Sequence, residues 1–134
     1  MLSRVDVTLS GERIEEPSLG SDPIALLVYD RAGNFAAQFM KRDRSAFSVT
    51  QPSEATGPNN TRTQGGYDAY FGVYSVNDAD GTVTQRLVGA LSPENVGHTV
   101  TRAMTVDGDT LVITLETTSQ GQRVTRTLTW RRAA

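Results

Sequence analysis

Two arginines, Arg102 and Arg126, sit in period-two runs whose same-parity neighbours are apolar. In 99–106, Val100, Arg102, Met104 and Val106 share one face; in 124–130, Val124, Arg126, Leu128 and Trp130 do. A guanidinium keeps its charge and is expensive to bury without a partner. No carboxylate occupies either face, so compensation must come from water at an open end, from a loop acid such as Glu54, Asp68 or Glu94, or from an anionic ligand. The chemistry that suits this pattern is the grip of two guanidiniums on one carboxylate or phosphate.

The elements that hold these residues are hairpins. Turn clusters at Asp30-Arg31-Ala32-Gly33, Asp78-Ala79-Asp80-Gly81, Asp107-Gly108-Asp109 and Ser119-Gln120-Gly121-Gln122 separate runs rich in Val and Thr. The turn at 78–81 pairs Val76 with Val83, which turns Tyr70, Gly72, Tyr74 and Val76 inward with Val83, Gln85, Leu87, Gly89 and Leu91. A two-residue turn at Asp107-Gly108 or Gly108-Asp109 sets Met104 opposite Leu111 or Ile113. A turn at 119–122 sets Thr117 opposite Val124, hence Leu115 opposite Arg126. In one register Arg102, Leu115 and Arg126 form a single rung; in the other the arginines are diagonal neighbours. Their backbones are then about 10 Å apart, near enough for both heads to reach one acid group.

The candidate ligand-binding residues are therefore Arg102, Arg126, Gln85, Tyr70, Tyr74, Phe35, Phe39 and Leu115, with Ile24, Leu26, Val28, Leu111 and Ile113 as further wall. His98 keeps the parity of Arg102 at a strand end beside Gly97 and is the one imidazole available to carry a proton. No catalytic residue is identified.

Near the N-terminus Val5, Val7 and Leu9 alternate with Asp6 and Thr8. Successive hairpins without long crossovers make an all-β antiparallel meander. About eight such strands close most naturally into an up-and-down barrel, which removes exposed edges. The exception lies within 42–69, read as a long loop or short helix. Ser53-Glu54 can start a helical turn, and 64–71 can form a short helix before the next strand.

With 134 residues the chain is one domain, 1–134. A net charge of −2 gives no support for a nucleic-acid partner. Cysteine is absent and histidine occurs once, which removes thiol chemistry and leaves no metal site; no cofactor is expected. Among the basic residues Lys41 is the one lysine. No apolar run approaches the ~18 residues of a membrane span, and no signal-peptide core opens the chain, so the expected location is cytoplasmic, away from membranes. Asn59-Asn60-Thr61 fits a glycosylation pattern without that context. Gly65-Gly66 precedes no phosphate-binding helix, and no serine sits in a nucleophile elbow.

The segment order resembles the bacterial lipocalin-like domain family. The resemblance is carried by 22–29 (Asp-Pro-Ile-Ala-Leu-Leu-Val-Tyr), 33–40, Arg42-Asp43-Arg44, 70–74, 81–84, 93–97, 107–111 and the closing Leu128-Thr129-Trp130-Arg131, nearly the whole chain. These are turn and strand patterns, which specify fold better than function. The resemblance implies a small lipocalin-like barrel with room for an internal ligand; barrels of this kind include carriers and cofactor-free cyclases or isomerases of secondary metabolism. Lipocalin-like chains usually open on a Gly-x-Trp strand whose tryptophan closes the barrel floor against a late arginine. Met1-Leu2-Ser3 stands in its place here. That departure implies an open barrel or a homodimer paired along the shortened edge, with Trp130 and Arg131 or Arg132 as a substitute plug.

The leading expectation is a barrel that binds a small hydrophobic or amphipathic organic acid. A cofactor-independent isomerase or cyclase using Tyr70, Tyr74, Arg102 or His98 is the alternative, with 42–66 as its lid. A structural barrel filled by its own large side chains is the third reading.

Overall fold

The alternation resolves into nine strands: β1 (Ser3–Thr8), β2 (Arg13–Ile14), β3 (Ile24–Tyr29), β4 (Asn34–Met40), β5 (Tyr67–Asn77), β6 (Thr82–Ala90), β7 (Thr99–Asp107), β8 (Thr110–Ser119) and β9 (Gln122–Arg131). The computed structural model describes residues 1–45 and 59–133. All nine strands lie in one antiparallel sheet, in the order β2-β1-β9-β8-β7-β6-β5-β4-β3. A single 3-10 turn at Pro93–Asn95 is the helical content of the described residues. Phe39 on β4 and Trp130 on β9 are five places apart in the sheet, yet their rings meet at 5.7 Å. The sheet is therefore curled around an interior.

From β3 to β9 each strand pairs with the next in sequence; β1 on β9 is the pairing that joins the two ends of the chain. The ladder does not close. β3 pairs with β4 alone, and the two rims meet where the Arg4 N–H donates to the Ser21 carbonyl at 3.0 Å, just ahead of β3. Beyond that bond a seam separates β3 from the end of β9. The closed barrel expected from the meander is thus a curled sheet with one open seam.

Where turn chemistry is local, the register is the expected one. Val76 faces Val83, Thr117 faces Val124, Leu115 faces Arg126, and of the two alternatives Met104 faces Ile113. The β7–β8 ladder ends at Ala103 and Thr114, one rung short of Arg102.

Three expectations fail, each for a physical reason. In the first hairpin Asp30 bonds Asn34 across a three-residue loop, with Gly33 at φ +92°. This sets Tyr29 opposite Phe35, one residue away from a four-residue turn, and a one-residue slip turns every side chain over. Ala25, Leu27 and Tyr29 face in, while Ile24, Leu26 and Val28 are half exposed on the outer face. In β6 a bulge opposite Phe71 and Gly72 adds one residue, Val88, so Gly89 and Leu91 lose their inward parity. The Phe71 ring covers Gly89 from outside, 2.3 Å from where a Cβ would stand. At 64–71 there is no helix: Gly65 and Gly66 take positive φ and turn the chain straight into β5. In β1 it is Arg4 and Asp6, not the alternating valines, that are buried. Ser53-Glu54 lies outside the described residues.

The middle of the interior is packed solid by Val83, Gln85 and Leu87, whose side chains are fully buried. Among the described residues, spaces lie toward both ends of this packed middle. No helix of the described residues is long and apolar enough to cross a membrane.

The bulge gives a direct test. A Cβ on Gly72 would sit 1.9 Å from the Arg86 carbonyl oxygen, so backbone must move. Gly72→Ala is expected to cost roughly 3 kcal/mol or more by urea denaturation, as overpacking does. Gly108→Ala, at φ +59° with open space around it, is expected to lose only about 1 kcal/mol.

Candidate functional site

One end of the interior is polar. Asp6 on β1 stands opposite Arg126 on β9 and accepts two parallel bonds, Nε to Oδ1 at 2.7 Å and Nη2 to Oδ2 at 2.9 Å. Arg126 Nη1 donates to Asn60 Oδ1 at 3.1 Å. Arg4, two residues from Asp6, pairs with Glu16 at 3.1 Å and also donates to the Gly20 carbonyl. Glu16 in turn accepts the Ser18 and Leu19 N–H groups and the Ser18 hydroxyl. Burial alone would raise the Glu16 pKa, but Arg4 and the Ser18 bonds outweigh it and hold the carboxyl below its ordinary value. Desolvation and the neighbouring Arg126 bring the Arg4 guanidinium down to about 10, still charged at neutral pH.

This explains the reversed face of β1. Leaving Arg126 buried and unpaired would cost several kcal/mol. Exposing two valines that stay half-buried forfeits less. The ion pair wins, and with it the orientation of the strand.

Arg102 is treated differently. Its Nη2 donates to the Asn59 carbonyl at 2.6 Å and its Nη1 reaches the Tyr70 hydroxyl at 3.5 Å, while its Nε is buried without a partner. Among the described residues no carboxylate lies within ion-pair distance of it. Asp68 shares the same wall, accepts the Thr61 hydroxyl at 2.5 Å, and is raised by burial to about 6. Arg4, Arg102, Arg126, Asp68, Asn60 and Tyr70 are among the residues that line a small void of about 30 Å³.

The other end, along the seam, is apolar and open. A cavity of about 490 Å³ is walled by Ala25, Leu27, Tyr29, Met104, Leu111 and Trp130, with Arg131, Arg132 and Asp109 at its rim. Arg132 approaches Asp109 at 3.6 Å with both side chains largely in solvent. Tyr29 and Tyr74 meet edge to face at 4.7 Å; their hydroxyls donate to or accept from protein, Tyr74 to the Asp30 carbonyl and Tyr29 from Gln85 Nε2, each at 2.5 Å. Burial pushes the Tyr29 phenol up to about 12.

The structure thus divides the residues that the sequence grouped. Arg102, Arg126, Tyr70, Phe39 and Leu115 surround the small polar void, and Tyr74 lines the large cavity. Phe35 and Gln85 sit in the packed middle, Phe35 against Tyr29 and Tyr70. His98 does not turn inward: it is exposed, 3.4 Å from the Asn95 amide, and lines neither space. Neither arginine strand carries an acid on its inner face, but the interior it faces holds Asp6 and Asp68, and of these Asp6 was not among the acids considered. Sequence reasoning also missed Arg4, Glu16 and the Arg131–Arg132 rim; Arg4 and Asp6 shared one parity, but Val5 and Val7 masked it. Trp130 is buried against Phe39, and with Arg131 and Arg132 it lines the open cavity. Among the described residues no three His, Asp or Glu side chains are grouped as a metal site.

A single curled up-and-down antiparallel sheet enclosing a cavity is the architecture of small-molecule-binding calycin barrels. The family model for the lipocalin-like domain matches residues 2–133, and the chain belongs to that family. No curated protein and no solved structure matches it.

Substitutions at Asp6, Arg126 and Asp68 test the polar end. Asp6→Asn leaves Arg126 without its countercharge and is expected to cost about 3–5 kcal/mol, whereas Asp6→Leu with Arg126→Met together should cost much less than the sum of the two single changes. Urea denaturation of the original protein, Asp6→Leu, Arg126→Met and the double variant checks this cycle, with Asp6→Asn measured beside them. For Asp68 the folded pKa of about 6 exceeds the model value of 3.8, so the folded protein holds the proton between them. Its contribution is fully present below about pH 4 and is lost as pH rises through 6. Asp68→Asn is therefore expected to raise stability by about 1–3 kcal/mol above pH 6 and to match the original protein near pH 4.

Proposed function

We propose that the protein binds an amphipathic or aromatic small molecule bearing an acidic group, held in the cavity along the seam. The observation that carries this reading is the cavity itself: about 490 Å³, apolar in its walls and open at one end. That volume falls within the range of small-molecule sites, which combine greasy walls with a few polar groups. Two arginines against one aspartate give the rim a positive balance suited to an acid group.

The acid group is better placed at Arg131 and Arg132 than at Arg102 and Arg126. Arg126 already has its carboxylate in Asp6, and a void of about 30 Å³ has no room for an organic acid. A cofactor-free isomerase needs a proton carrier beside the substrate. Both phenols of the cavity are engaged by protein, and Tyr29 titrates far above neutrality, so binding is the stronger reading.

Trp130, the one tryptophan, stands in the cavity wall and reports occupancy through its emission. Titration with dodecanoate is expected to change that emission with micromolar affinity. Ala25→Phe should block it by filling the wall. Arg131→Gln with Arg132→Gln should weaken dodecanoate about tenfold while leaving dodecanol unchanged, the loss expected of a rim charge pair. Equal loss for both would remove the acid from the proposal. No response to dodecanoate, dodecanol or anilinonaphthalene sulfonate would leave a filled scaffold as the better description.

A further inference from the structure

The rim strand β3 has one side of its backbone unused. The Asp30 N–H donates to the Asn34 carbonyl, and hydrogen-bonded pairs in an antiparallel ladder recur at every second residue. Ile24, Leu26 and Val28 therefore give their backbone groups to β4, opposite Met40, Gln38 and Ala36. The N–H and C=O groups of Ala25, Leu27 and Tyr29 point the other way, into the seam. Among the described residues no strand lies there, since β3 pairs with β4 alone. The empty lane is nonetheless marked out. Arg4 donates to the Ser21 carbonyl, so β1 lies beside the chain just ahead of β3. The line of β1, extended past that bond, runs between β3 and the end of β9.

An exposed edge is normally guarded by charge, proline or a bulge. Ile24–Tyr29 has none of these and is apolar on both faces. Ala25, Leu27 and Tyr29 wall the cavity of about 490 Å³, while Ile24, Leu26 and Val28 are half exposed outside. A near-continuous apolar run is the pattern of a strand covered on both faces, and here it stands at a rim.

Charge decides which way an incoming strand would run. β9 passes Ser3 at Thr129 and β1 passes Ser21 at Arg4, so Arg131 and Arg132 lie across the lane from the start of β3 and not from Tyr29. A strand antiparallel to β3 ends beside these arginines and brings a carboxylate to them; a parallel one brings an ammonium. Asp109 offsets only one of the two positive charges.

We propose that the seam takes the free C-terminal end of an extended peptide, which pairs antiparallel with β3 and sets its carboxylate at Arg131 and Arg132. This rests on the ligand reading of the cavity and deepens it, naming the acid as a peptide C-terminus. Directly opposed residues share a face. Occupant residues that face into the cavity are therefore the ones whose backbone bonds to Ala25, Leu27 and Tyr29, and those that face out do not bond to β3. The recognised segment thus alternates, with apolar residues at its bonded positions.

The probe is acetyl-Val-Thr-Leu-Thr-Phe with a free carboxylate, titrated beside dodecanoate and followed by Trp130 emission. Amide exchange measured by NMR should show Ala25, Leu27 and Tyr29 newly protected by the peptide and not by dodecanoate, with Leu26 and Val28 unchanged. A methyl on the leucine nitrogen should weaken the peptide about tenfold, the loss of one backbone bond, while a methyl on the threonine before it should change little. Amidating the C-terminus should also weaken it about tenfold. Dodecanoate bound and peptide unbound overturns the proposal and leaves the ligand reading of the cavity standing. Equal losses from the two methyls, no loss on amidation, or no new amide protection overturns it as well. If neither ligand binds, both readings fall. Protection of the same three amides in a dimer of the free protein would give the lane to a second copy and overturn the peptide.

Discussion

The pairing of Asp6 with Arg126 joins two residues 120 positions apart and gives the molecule its shape. From β3 to β9 the chain is a run of hairpins, each made from neighbours in sequence. Such a run specifies a ribbon, not a container. It curls because β1 returns to lie on β9, and β1 can do so only with Asp6 facing Arg126. Two parallel charge-assisted bonds in a dry site define that register more narrowly than any apolar contact. The same guanidinium reaches Asn60, and Arg4 two rungs away gathers Glu16 and Gly20, so the segments on either side of the rim are drawn to the same place. A buried ion pair is weak evidence of stability in itself. Its effect here is to exclude the opposite facing of β1, which the valines alone would favour.

The interior then falls into three layers with different tasks. At one end charge is gathered and almost fully matched. In the middle Val83, Gln85 and Leu87 leave no space. At the other end the sheet fails to close, and the gap between β3 and β9 is the apolar cavity. The opening is a consequence of register: the β1 ladder ends at Ser3 opposite Thr129, so Trp130 and Arg131 extend past its last paired rung.

How much of this could be read from residues depends on distance along the chain. The hairpins at 77–82, 107–110 and 119–122 were legible because Asp-Gly and Gln-Gly chemistry settles them within a few residues. The facing of β3 was not, since one residue more or less in the 30–34 loop reverses it. Neither was the bulge at Val88, where Gly72 and Gly89 mark close approach but do not say which strand carries the extra residue. Arg102 and Arg126 did stand out by their parity, and both are buried as that parity required. Their partners could not be found in the same way. Asp6 lies on a strand that meets β9 only in three dimensions, and the apolar alternation around it argued for the other face.

The adjacency of Ser3 and Thr129 also determines how the molecule answers a pull. Antiparallel strands whose free ends lie side by side are loaded one rung at a time when force is applied through those ends, like a zip and unlike a lap joint. Tension at the outer ends of these two strands would therefore peel β1 from β9 before it strained any hairpin, and would load Arg4 with its bond to Glu16 first and the pairing of Asp6 with Arg126 next. The barrel is mechanically soft along this one line and resistant across its strands elsewhere. Because Ser3 and Thr129 are neighbours, a short linker could join the outer ends of β1 and β9 and the chain could be cut at an exposed turn such as 107–110, which would move the soft line to another pair of strands.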